Sequence, residues 1–265
     1  MSVVRNWRSL RRQFDDASRE VLGRCGGRAA PLVSERDLLA LPGPLATYCR
    51  RAGVVGRPRV RALHARFRGQ MRTRPTAPWM SATIEQIEAF CPNVRLFFMR
   101  AWRTGVPFSV YHAYRGTAAT MRVRVAGIFP VVDAGGPVLT RSETVTLFND
   151  LCVLAPAALL DADVTWDPID TSRVEGEFRN AGHAVRAVLE FDASGDLVNF
   201  RSDDRAQSDG THEQVLPWLT PLSGFRDFGG VRLPAIGEAR WLESGHEWAY
   251  ARFELRDIAY NVAAP

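Results

Sequence analysis

The stretch FSVYHAYRG, residues 108–116, gathers the groups in this chain best suited to moving a proton. If it is a strand, His112 and Tyr114 share one face, and Tyr111 and Arg115 take the other. Imidazole is the side chain that changes charge nearest neutral pH, so a shielded His112, with the Tyr114 phenol beside it, could serve as general acid or base. A neighbouring strand could bring Arg100 or Trp102 alongside. Arg122 and Arg124 share a face of the next strand and could hold a carboxylate, an enolate or a phosphate. Trp79, Trp102, Trp166, Trp218, Trp241 and Trp248 supply aromatic area for a ligand pocket. The plainer alternative is a polar, solvent-facing strand side with His112 and Tyr114 as cross-strand packing partners, and indoles that only fill a core.

Three acids fall in FPVVDAGGPVLTRSETVTLFNDL, residues 129–151, and each has a structural reading. Asp133 precedes AGGP and can bond back to turn amides. Thr140 and Glu143 form T-x-x-E, a capping box at a helix start. Val145, Phe148, Leu151 and Cys152 continue as a buried stripe, with Asp150 on the polar side. No dinucleotide-binding, P-loop, HExxH or GxSxG pattern is present. The five histidines lie far apart, and Cys25, Cys49, Cys91 and Cys152 form no CxxC pair, so neither a metal site nor a cofactor is expected.

These residues need elements to position them. Val3, Trp7, Leu10, Phe14, Ala17 and Val21 recur at helical spacing, with Arg5, Arg8, Arg12 and Arg19 off the stripe and glycines 26 and 27 after it. Such a helix lies on its own domain, forms an oligomer seam, or rests on a membrane surface through residues 3–22. Ser34 and Asp37 mark another helix start, and a short helix over 44–52 stops at Gly53. Residues 1–56 are therefore read as a helical N-terminal region that is not an independent domain. From Arg57 the period becomes two. Leu63, Ala65, Phe67 and Met71 oppose His64, Arg66, Arg68 and Gln70. A helix is expected over 82–90, capped by Ser81 or Thr83 with Gln86. Strands follow in NVRLFFMRAW, FSVYHAYRG and TMRVRVAGIFPVVD, and again after residue 163, with NAG and DASGD as turns. The expected fold is α+β: a large curved antiparallel β-sheet, a half-barrel of about 9–11 strands, wrapped on a helix and occupying residues 57–265.

Composition narrows the function classes. All 34 basic side chains are arginine, spread among 29 acidic residues for a net charge of +5. No local basic block forms beyond His64, Arg66, Arg68 and Arg72, so nucleic acid is not an expected partner. No apolar run is long enough for a membrane-spanning helix, and the N-terminus lacks a signal-peptide core, so the chain reads as cytoplasmic with reduced thiols.

Several stretches together carry a resemblance: LPGPLATYCRRAGVVGRPRVRALHARFRGQM, APWMSATIEQ, GIFPVVDAGGP, LAPAALL before VTWDPID, and FRDFGGVRLPAIGEARW. From about Leu41 to Tyr260 the chain resembles a bacterial family of unknown function. The resemblance implies an antiparallel half-barrel similar to lipoprotein carriers of the LolA and LppX type, and brings no reaction or catalytic residues. The expected function is binding of an apolar or amphiphilic small molecule in the half-barrel, with Arg100, Trp102, Arg122, Arg124 and Trp79 as ligand contacts. Two alternatives stand beside it. One is a cofactor-free cyclase, isomerase or dehydratase using His112 and Tyr114. The other is a peripheral membrane module.

Overall fold

The computed structural model describes residues 9–25, 30–208 and 213–262. Val3, Arg5, Trp7, Arg8, glycines 26 and 27, and His212 lie outside the described residues. Three helices come first: α1 (Leu10–Cys25), α2 (Glu35–Leu38) and α3 (Gly43–Arg51). Ser34 caps α2 in a reciprocal box with Asp37. Just past α3, Gly53 takes a φ of +75°, the left-handed position that glycine fills without strain.

Six strands follow: β1 (Ala62–Met71), β2 (Met80–Phe90), β3 (Asn93–Arg103), β4 (Val106–Arg115), β5 (Ala118–Val125) and β6 (Phe129–Gly135). Then come α4 (Pro137–Leu154) and a 3-10 turn at Pro156–Leu160. The second run holds β7 (Val164–Pro168), β8 (Arg173–Asn180), β9 (His183–Phe191), β10 (Leu197–Ser202), β11 (Ala206–Ser208), β12 (Glu213–Val215), β13 (Trp218–Phe228), β14 (Val231–Glu243) and β15 (His246–Tyr260).

Thirteen strands form one antiparallel sheet, ordered β6-β5-β4-β3-β2-β1-β15-β14-β13-β10-β9-β8-β7, while β11 and β12 pair apart. The first and last strands of the sequence thus meet mid-sheet, and β6 and β7 are its two edges. The chain between those edges is α4. Twelve inter-strand gaps would make a flat sheet roughly 58 Å wide, whereas the 18 residues of α4 span about 27 Å. Yet α4 touches β5 and β6 on one side and β9 and β10 on the other. The sheet must curl around it, as an open half-barrel.

The two faces of that curl are covered differently. On the outer face, Leu10, Phe14, Ala17 and Val21 of α1 bury against Ile87, Leu96, Phe98, Tyr111 and Ala113. The described part of the amphipathic stripe is therefore spent on the sheet and offers no apolar face to a membrane. On the inner face, α3 and α4 share the main core with Phe178, Leu189, Phe200, Leu233 and Leu255.

Some local expectations are corrected. Residues 82–90 are strand β2, not a helix, and Thr83 pairs with Arg68 and Arg100 in the ladders. From Gln86 to Ala89 both faces of β2 are buried, Gln86 and Glu88 inward and Ile87 and Ala89 against the α1 side, so the alternation begun at Ala82 and Ile84 is lost there. TMRVRVAGIFPVVD is two strands, turned at Ala126 and Gly127, which both take positive φ. Asp133 stands within β6 opposite Arg122 rather than in a turn. The sheet also exceeds the expected nine to eleven strands, because residues 82–90 add β2 and TMRVRVAGIFPVVD supplies two strands in place of one.

Candidate functional site

Buried on nearly every side, α4 has no solvent-facing stripe. Of its polar residues, Thr140, Ser142, Glu143, Thr144, Thr146, Asn149 and Asp150 are buried, while Arg141 near its start reaches the surface. Buried polar groups need partners, and the inner face supplies them. Glu143 and Asp150 lie two turns apart on one side of the helix and both meet Arg95 of β3. Arg95 Nε donates to Asp150 Oδ2 at 2.7 Å and Nη1 donates to Glu143 Oε2 at 3.1 Å. Gln86 of β2 donates to both Asp150 Oδ2 (2.9 Å) and Glu88 Oε1 (2.6 Å). Glu143 Oε1 also lies 3.6 Å from His112 Nδ1 and 3.7 Å from Arg205 Nη2.

The electrostatics of the carboxyls diverge. Burial pushes Glu143 up, but His112, Arg95 and Arg205 outweigh it and hold the carboxyl at about 2. For Glu88, burial first and then the neighbouring Asp150 carboxylate raise the carboxyl well above its ordinary range. The neutral form of Glu88 is thereby favoured, and its Oε2 has no partner among the protein groups. Burial also works against the charge of Arg95, yet the Asp150 and Glu143 carboxylates more than compensate and raise it. Arg205 is locked between the rings of Trp218 and Trp241, 4.7 and 5.2 Å away, and donates to Thr146 and Tyr250.

Beside this network a cleft opens between α4 and the inner face, enclosing about 110 Å³. Its existence follows from side-chain size. Ala235, Gly237 and Ala239 of β14 are too short to reach the helix. Trp218, Thr220 and Leu222 of β13 form one wall, Phe67, Phe97, Phe253 and Leu255 another, and Asn149, Val153 and Leu154 the roof. Gly69 makes the aromatic wall possible, since a Cβ there would lie 2.6 Å from the Phe253 ring. Two nearly buried polar atoms of the lining, Asn149 Oδ1 and Thr220 Oγ1, have no protein partner.

Through Phe67, Phe97 and Phe253 the cleft is continuous with a second apolar cluster on the inner face, holding Met71, Met80, Met99 and Met121. Four of the five methionines in the sequence therefore share one patch. Unbranched and polarisable, methionine adapts to varied apolar shapes.

The residues singled out from the sequence divide between the two faces. His112 pairs with Phe97, and Tyr114 with Arg95, so both face inward. His112 stacks edge-on against Phe97 and approaches Glu143, while Tyr114 bonds to Thr144 and Asn180; neither lines the cleft. Arg100 pairs with Ser109, and Trp102 with Pro107, on the outer face. Arg122 and Arg124, opposite Tyr111 and Ser109, are on that outer face too, and Arg122 bonds Gln13 of α1. Trp79 is held between the guanidiniums of Arg72 and Arg252. None of these five borders the cleft. Of the six indoles, Trp218 alone does.

Glu143 does not cap α4, whose N-cap is Gly136 without a side-chain bond; Thr140 instead accepts from the amide of Ala119. Sequence reading missed Gln86, Glu88, Arg95, Asn149 and Thr220. One signal was available: Arg95 interrupts the apolar run from Val94 to Met99, which marks a buried charge in need of partners. Among the described residues, no cluster of three or more metal-ligating side chains occurs.

Comparison with known proteins places the chain in a family. It belongs to DUF6544, a family of unknown function, which matches residues 31–253. No curated protein matches it. Solved structures of similar fold include a DUF1329 family protein from Desulfovibrio piger, at 11% identity and a TM-score of 0.45 over 83% of this chain and 92% of that one. Another is a LolA superfamily protein from Nitrosomonas europaea, at 8% identity and a TM-score of 0.43 over 86% of this chain and 94% of that one.

Proposed function

We propose that this protein binds an apolar or amphiphilic small molecule on the inner face of the half-barrel. One observation carries the reading. A continuous apolar surface runs from the methionine cluster to a cleft under α4 that ends on unpartnered polar atoms. Apolar walls with a few convergent polar groups are what small-molecule sites have in common. Ligand pockets usually hold about 300–1,000 Å³, so the cleft admits one end of a guest. The remainder lies along Met71, Met80, Phe108 and Met121, which are only partly buried. Binding energy comes from apolar area removed from water, at about 25 cal/mol per Å². Tyr114 is tied to Thr144 and Asn180, His112 sits between Phe97 and Glu143, and neither lines the cleft, so the geometry favours binding over proton transfer.

The test is titration with N-phenyl-1-naphthylamine, which fluoresces in apolar sites. Saturable binding is expected. Ala239→Phe, which fills the cleft, should weaken it about tenfold, while Trp102→Ser on the outer face should leave it unchanged. Failure to saturate, or equal loss in both variants, would overturn the reading.

A further inference from the structure

We infer, resting on the binding reading above, that the cleft selects guests whose buried end is a neutral hydrogen-bond donor, an aliphatic alcohol, over carboxylates, phosphates and ammonium ions. The argument starts from which groups are already committed. Arg95, the cation of the cleft lining, is bonded to Asp150 and Glu143, faces Gln86 and Glu88, and has its guanidinium over the Phe97 ring at 5.0 Å. An anionic head would have to break these bonds, and would then sit against Asp150 with no free cation to offset it. The cost of stripping water from such a charge would go uncompensated.

The unpartnered atoms point the other way. Asn149 donates through Nδ2 to Asp150 Oδ1 at 3.3 Å, which fixes the amide orientation and leaves Oδ1 as the open atom. An amide oxygen only accepts, so its partner must carry an N–H or O–H. Thr220 Oγ1, on the facing strand, can donate or accept. Both residues are more than nine-tenths buried, at 6% and 7% exposure. A hydroxyl placed between them can donate to Asn149 and accept from Thr220, satisfying both at once. An ammonium could donate to both atoms, but it would bring a second buried cation beside Arg95, whose carboxylate partners are already committed, and its lost hydration would go uncompensated. The apolar walls set the rest of the guest: a saturated chain against Leu222, Phe253 and Leu255, continuing to the methionines.

The experiment is competition at pH 8 against bound N-phenyl-1-naphthylamine with four ten-carbon compounds: 1-decanol, decanoate, decylammonium and decane. Decanol should displace the probe at concentrations about tenfold below the two ions and below decane after allowance for chain transfer. Asn149→Leu should bring decanol to within about twofold of decane, each displacement being referred to the probe affinity measured for that variant. Thr220→Val provides a second variant if Asn149→Leu does not fold, and should erode the same preference. Equal or better displacement by decanoate, decylammonium or decane overturns the inference and leaves the binding reading intact. Absence of saturable probe binding overturns both.

Discussion

Helices α1 and α4 cover opposite faces of one sheet and meet burial in opposite ways. In α1, Leu10, Phe14, Ala17 and Val21 sit on the strands, and the charged residues stay at the surface, where Arg11 reaches Asp15 and Glu85. Water remains available to every charge. For α4, enclosed by the curl, no such division is possible, and its acids are neutralised by Arg95 from the sheet. The outer face is held chiefly by apolar packing, whereas the inner face also depends on a closed set of charges. A helix with solvent on one side can be changed at its polar positions cheaply. A helix inside a half-barrel cannot, and that constraint is what brings polar atoms to the edge of the cleft.

The contrast predicts its largest effect at two arginines. Arg95→Met strands Glu143 and Asp150 and should cost about 3–5 kcal/mol in urea unfolding. Arg11→Met on the outer face, where the side chain is 42% exposed, breaks ion pairs that water already screens. It should cost less than about 1 kcal/mol. Similar losses in the two variants would abolish the distinction between the faces.

That distinction also explains what could be read in advance. The α1 stripe was legible because one side of the helix meets water, and a period of 3.6 records this. The curled antiparallel sheet was legible from alternation in β1 and from the turn glycines, Gly182 and Gly195 among them, both at positive φ. Strand β2 was hidden because both faces of its second half, Gln86 to Ala89, are covered. Glu143 was misread because T-x-x-E is a local pattern, whereas its partner Arg95 is 48 residues away. Arg122 and Arg124 were correctly paired on one strand face, but alternation alone does not say which face looks inward. Only the register of Phe97 with His112, and of Arg100 with Ser109, decides that.

A smaller effect, of opposite sign, is expected at Glu88. Its carboxyl is raised in the folded protein, so the unfolded chain ionises first as pH climbs past the ordinary glutamate range. Over that window the unfolded state binds fewer protons, and stability falls with rising pH. Glu88→Gln keeps an acceptor for Gln86 and removes the titration. The variant should match the wild type near pH 4 and exceed it near pH 8 in denaturant midpoint. Glu143 acts in reverse: held at about 2, it contributes stability at neutral pH that is lost as the medium is acidified from the ordinary glutamate range through that value. A Glu88→Gln variant whose advantage is greatest at low pH would mean that the raised carboxyl has been assigned to the wrong residue.

The smallest change separates folding from binding. Thr220→Val replaces the unpartnered hydroxyl by a methyl group of nearly the same volume. Removing a buried polar atom that has no partner relieves a desolvation penalty, so stability should hold or rise by up to about 1 kcal/mol. An outer-face exchange such as Thr83→Val, at a hydroxyl in contact with water, should change neither stability nor the preference for decanol. If Thr220 is kept polar for a guest, the more stable variant must lose part of its preference for decanol over decane. A gain in stability with that preference undiminished would show that the inner-face hydroxyl, like the outer one, serves nothing but the fold.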